Sequence, residues 1–187
     1  MVQNFKHVKA AKSSSQRKGL SNKGLVEIAE KETHVKKAVI VLPKNVATAG
    51  WVRLKCQYGC DGYGQSLTCP PFTPTPDQMR NILDCYRRAI LIHFDTEADV
   101  KAIVVKLERK IFLSGAWKAF GLGAGPCYFC NECAIESGQC RHAERARPAM
   151  EACGIDVFTT ARRAGFEIEV VKTTSQCPNY FGLVLVD

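Results

Sequence analysis

The chain has 187 residues, 46% of them hydrophobic, a formal net charge of +8 and ten cysteines. That length suits one domain with an ordinary core, and the cysteine content falls short of a small scaffold in which disulfides replace a core. No apolar run approaches the ~20 residues of a membrane span. The N-terminal stretch lacks the apolar centre of a secretory signal, so the expectation is a soluble, cytoplasmic protein whose cysteines serve metal or redox chemistry.

Residues 1–24 contain Lys6, Lys9, Lys12, Arg17, Lys18 and Lys23 and no acid, so they carry six of the eight net charges. This stretch reads as a basic, disordered N-terminal arm, with docking to an acidic partner or an organelle transit signal as other readings. The remaining 25–187 form a single cysteine-rich, metal-binding domain. Being nearly neutral, it offers no basic field of the size nucleic acid needs.

Four short apolar runs read as strands: KAVIVL (37–42), RAILIHF (88–94), EIEVV (167–171) and FGLVLV (181–186). Their nearly continuous apolar character suits strands covered on both faces. A helix is predicted over 76–87, with Thr75 as N-cap, Pro76 in first position and Met79, Ile82, Leu83 and Tyr86 on one face. A longer one is predicted over 97–119, striped by Val100, Ile103, Val104 and Leu107 and ended by GLGAG (121–125). Short helices follow near 147–153 and 156–164, closed by Gly154 and Gly165. The fold class is α/β or α+β: a single small sheet of about four strands with flanking helices. Two cysteine-rich, metal-binding irregular segments, 55–76 and 124–148, elaborate it. Irregular stretches that long need something to hold them, and a metal centre would do so.

Cys127, Cys130, Cys133 and Cys140 are spaced C-x2-C-x2-C-x6-C. The first three match the bacterial ferredoxin run, whose compact spacing turns successive thiolates toward one centre. The fourth spacing differs, and no proline follows Cys140. Zinc sites favour two separated pairs, so this spacing points to an iron–sulfur cluster ahead of zinc or redox thiols. A second set is Cys56, Cys60 and Cys69, with Pro70 and Pro71 after the last. It lacks a fourth ligand. Cys153 is the first choice and Cys177 the second, although Cys140 could also cross over to complete it, as in two-cluster ferredoxins. Cys85 reads as core within the 76–87 helix. Arg141, His142, Arg145 and Arg147 follow the cluster motif, where cations would stabilise an anionic centre or dock a partner. GLGAG could bring backbone N–H groups to a cluster or phosphate, or simply end the helix. No G-x-S-x-G, H-E-x-x-H or Walker A pattern marks another chemistry.

The stretches WVRLKCQYGCDGYGQSLTCPPFTPTP, GAGPCYFCNECAIESGQCRHAERARPAMEACGIDVF and YFGLVLVD resemble a prokaryotic family catalogued as domain of unknown function 2284, "predicted metal-binding protein". The resemblance covers roughly residues 37–187. It implies a cytoplasmic, cysteine-rich protein of anaerobe-type metabolism carrying iron–sulfur clusters, with Cys56, Cys60, Cys69, Cys127, Cys130, Cys133 and Cys140 on the family's cysteine motifs. Ala143 and Ala149 stand where the family commonly has proline and serine, and neither departure removes a ligand.

The expected function is therefore an iron–sulfur protein with two [4Fe–4S] clusters. It would work in electron transfer or deliver electrons as a subunit of a larger redox complex, with a redox protein as partner. A cluster-dependent enzyme acting at an open iron site and a zinc-stabilised binding module are the alternatives.

Overall fold

The computed structural model describes residues 20–173 and 179–187. Cys177 lies outside the described residues, as does the predicted arm as far as residue 19. The described chain begins with α1 (Asn22–Glu30), capped by Ser21, whose hydroxyl accepts from the Gly24 amide. The boundary expected at residue 24 thus falls inside this helix.

Four strands make one sheet: β1 (Val35–Val41), β2 (Ala89–Phe94), β3 (Phe120–Leu122) and β4 (Tyr180–Leu185), in the order β1-β2-β4-β3, every pair antiparallel. Both faces are covered, as the apolar runs predicted. On one face α1 and α4 (Val100–Leu113) bring Leu25, Ala29, Val104, Leu107 and Ile111 onto Ile90, Ile92, Phe94 and Val184. On the other, α3 (Pro76–Asp84) and α5 (Val157–Arg163) bring Met79, Leu83 and Ala161 onto Leu91, Leu183 and Leu185. The period-two alternation along β2 and β4 sends successive residues to these two cores. The architecture is an α/β sandwich built on a four-stranded antiparallel sheet.

Thr75 and Gln78 form a reciprocal capping box at the start of α3. Asp99 caps α4 by accepting from the Ala102 amide at 3.0 Å. Glycine is required where α4 crosses the sheet: a Cβ on Gly182 would sit 2.8 Å from Val104 Cγ1, and one on Gly121 3.1 Å from the Val104 carbonyl oxygen.

Four expectations are corrected. The run 167–171 forms no strand. Phe166 and Ile168 are buried against the core while Val170 and Val171 face solvent, and Arg162 holds the segment through the Ile168 carbonyl. The helix predicted over 97–119 stops at Leu113, and the chain returns through Gly115 (φ +110°) to form β3, which the sequence reading took as part of a turn. The stretch 55–76 is not wholly irregular, because α2 (Gly50–Gly59) runs into it and carries Cys56. That helix escaped notice because its large apolar residues Trp51, Leu54 and Tyr58 face outward, leaving only Val52 buried. The predicted helix near 147–153 is a single 3-10 turn, Glu151–Cys153, ended by left-handed Gly154.

Candidate metal centre

The segment 124–148 leaves the sheet after β3 and returns beside it. Its two ends are tied together: Gly123 donates from its amide to the Pro148 carbonyl at 2.9 Å, and the Met150 amide donates to Gly123 at 3.0 Å. α4 grips the segment twice. At its start, the Lys101 ammonium donates to the carbonyl oxygens of Gly125 and Pro126, the latter at 2.9 Å. At its end, Arg147 makes a bidentate pair with Glu108, both bonds 2.7 Å, and Glu108 also accepts from the Gly121 amide at 2.8 Å. Tyr128 adds a third tie through its hydroxyl to the capping Asp99 at 2.6 Å. Burial, and then that carboxylate, push the Tyr128 pKa up, so the phenol stays a proton donor.

Held this way, Cys127, Cys130, Cys133 and Cys140 line one cavity of about 720 Å³. Its other wall is residues 65–68, from the segment that carries Cys60 and Cys69. Backbone amides reach the sulfurs from both sides. Leu67 donates to Cys133 Sγ and His142 to Cys140 Sγ, each at 3.4 Å. Amide N–H groups aimed at sulfur stabilise the thiolate form that metals require. Among the described residues, no group of three or more His, Cys, Asp or Glu side chains converges tightly enough to hold one metal ion. The four thiols share the lining of the cavity without converging on one point.

The second set spans α2 and the loop after it. Cys56 is half-buried, Cys60 exposed and Cys69 buried. Burial pushes the Cys56 thiol up, the Arg53 guanidinium pulls it down, and Cys60, Glu151 and Cys69 push it up in turn, so these groups share one neighbourhood. Cys153 sits beside it but belongs to the core, at 1% exposure, and burial pushes its thiol up to about 12. Cys56 Sγ faces the Glu151 carbonyl oxygen at 3.9 Å, which brings α2 against the 3-10 turn that carries Cys153. Arg53 crosses the same region. It donates to the carbonyls of Thr73, at 3.0 Å, and Pro74, while its Nε is buried without an acceptor among the described residues. An orphaned guanidinium N–H beside a cysteine set fits an anionic sulfur-rich group. The Gly62 amide donates to Cys60 Sγ at 3.4 Å, and Gly62 lies against Pro126, so the two cysteine segments abut.

The four basic residues after the motif separate. Arg141 and His142 line the cavity, Arg141 also bonding the Glu132 carbonyl at 3.1 Å. Arg145 is exposed and lies 4.7 Å over the Phe129 ring. Arg147 is locked into Glu108 and packed on Phe120, which makes it a scaffold residue rather than a docking cation. Cys85, expected in the core, is an exposed helix C-cap whose thiol reaches back to the Asn81 carbonyl. Sequence reasoning missed Lys101, Arg53 and Glu151. The signal for Lys101 and Glu108 was their seven-residue spacing along the edge of the buried α4 stripe, where charged residues are unexpected.

A family profile described as "Predicted metal-binding protein (DUF2284)" matches residues 39–186. The chain belongs to the DUF2284 family. The match runs from within β1 through both cysteine segments to the end of β4. No curated protein and no solved structure matches the chain. Among the described residues of this DUF2284 protein, no helix is long and apolar enough to cross a membrane.

Proposed function

We propose that this DUF2284 protein is an iron–sulfur protein holding two [4Fe–4S] clusters, and that it passes single electrons to a redox partner or within a larger redox complex. The observation that carries this reading is the cavity of about 720 Å³ lined by Cys127, Cys130, Cys133 and Cys140, with backbone amides on two of the sulfurs. Four thiols sharing the lining of one cavity leave room for a polynuclear centre, whereas the ligands of one tetrahedral zinc meet at a point.

In this reading the 127–140 thiolates hold one cluster. Cys56, Cys60 and Cys69 hold the other, with Cys153 as the fourth ligand. A cluster supplies a one-electron couple whose potential the surrounding charge and hydrogen bonds set. The amides of Leu67 and His142 hold negative charge on the sulfurs, and Arg141 brings a cation to the cavity wall. Arg145, exposed at the same edge, is the residue to meet a partner.

The test is iron, zinc and acid-labile sulfide on protein purified without oxygen, followed by redox titration. About eight irons and eight sulfides per chain, with reversible low-potential reduction, is the expected result for two cubane clusters. About four of each leaves only the 127–140 site and favours the cluster-dependent enzyme. Zinc without sulfide overturns the redox reading in favour of a zinc-stabilised module.

A further inference from the structure

We propose that Lys101 is a cation shared by the two cysteine sets: it is held between them to balance the negative charge of metal-bound thiolates on both sides. The inference deepens the metal-centre reading and rests on it.

Lys101 lies in the first turn of α4 and is 1% exposed. Both facts are unfavourable for an ammonium. A buried charge needs a counter-charge, and a helix N-terminus already presents the positive end of its dipole. Yet the two hydrogen-bond partners of Lys101 are the neutral carbonyls of Gly125 and Pro126, and no carboxylate pairs with it among the described residues. Glu151 and Asp99 act on its charge without pairing with it, and groups that become anionic on loading supply a direct counter-charge.

The position supplies them. Pro126 immediately precedes Cys127, and a Cβ built on Gly62 would lie 3.6 Å from Pro126 Cβ and 3.5 Å from Cys60 Sγ. The ammonium is therefore fixed at the seam between the two cysteine segments. Cys127 from one set and Cys69 from the other lie near enough to act on its charge, as do Glu151 and Asp99. The fold also keeps a path open for the lysine stem: a Cβ on Gly123 would fall 2.8 Å from Lys101 Cγ. Arg53, half-buried with its Nε buried and without an acceptor among the described residues, brings a second cation near Cys56. Thiolates ligating a metal are anionic whichever metal they hold, so this arrangement suits a loaded protein.

The experiment uses the full chain with Lys101→Met, which keeps the length of the stem and removes the charge, and Lys101→Arg, which keeps the charge. Iron and sulfide analysis of the wild type tests the cluster reading by itself. Lys101 is tested separately with Co2+, whose thiolate charge-transfer absorption reports binding to cysteine sets of either kind. Lys101→Met is expected to weaken Co2+ binding by about 10- to 100-fold, as removal of a group supporting a metal's ligands does. Lys101→Arg is expected to recover most of that loss. Wild-type affinity in Lys101→Met overturns the inference, and so does an equal loss in both variants, which would make Lys101 a packing residue. If Lys101→Met does not fold, Lys101→Gln takes its place with the same expectations. A wild type that binds Co2+ but carries no sulfide loses the cluster reading and leaves the Lys101 inference to stand or fall on the variants.

Discussion

The backbone amide of Leu67 donates to the sulfur of Cys133 at 3.4 Å, across 66 residues of sequence. This bond joins a wall residue of the first cysteine segment to a ligand candidate of the second. Proline at position 67 removes the N–H without removing any thiol. Leu67→Pro is expected to speed release of metal from the 127–140 set to a chelator by about tenfold, in the range typical of groups that support metal ligands. Cys85→Ser, which changes an exposed thiol outside both sets, should release metal at the wild-type rate.

The Arg147–Glu108 pair anchors the end of the cysteine segment to α4, and both side chains are largely buried. Removing one partner strands the other charge. Arg147→Met should lower stability by about 3 kcal/mol, the scale for breaking a buried pair, read as a drop in the urea midpoint. A change below about 0.5 kcal/mol would place the pair with ordinary surface ion pairs instead.

Gly154 combines a positive φ of 75° with a tight contact: a Cβ there would lie 2.5 Å from Pro76 Cγ and 2.9 Å from Pro76 Cα. Gly154→Ala must therefore both strain the backbone and push α3 off the turn that carries Cys153. The expected loss is about 2–4 kcal/mol, adding left-handed strain to overpacking. The glycine at 165 makes the comparison. It also has a positive φ, but its added Cβ meets nothing within 4 Å, so Gly165→Ala should cost only about 1 kcal/mol.

His93 stacks on Phe181 at 4.8 Å, meets Phe166 edge-on and faces the Asn179 carboxamide at 2.9 Å. Burial pushes its pKa down, with Asn179 pushing back and Lys36 adding to the fall. The folded state thus prefers the neutral ring. Its contribution to stability is complete above the ordinary histidine pKa of about 6.5 and is lost as pH falls toward the lowered folded value. The urea midpoint should decline from about pH 6.5 downward, and His93→Phe should make that decline shallower.

Much of this was legible before the fold. β1, β2 and β4 announced themselves as β-branched apolar runs, and α3 through a proline, a cap and a stripe. The cysteine spacing alone marked 127–140 as one cluster, because the four residues that line the cavity are close in sequence. What stayed hidden depended on tertiary placement. β3 is three residues long and contains a glycine, so no periodicity could reveal it; it exists because Gly121 lets the chain pass under Val104. Residues 167–171 have strand composition, yet no neighbouring strand edge is paired with them. Lys101 went unnoticed in the sequence, and its burial is a product of the whole fold.

Consider finally the two grips of α4 on the segment 124–148. Lys101 and Glu108 are seven residues apart on one rigid helix, about 10 Å along its axis, and the Gly123–Pro148 bond closes the same loop at its base. The loop-closure entropy of the segment is therefore surrendered when the domain folds, not when the thiols are filled. In the proposed metal centre the cysteines act as a tethered chelate, with a local concentration set by the scaffold and not by diffusion of a free chain. None of the residues lining the cavity belongs to either apolar core. The shape of that cavity is thus set by ties to α4 and not by core packing.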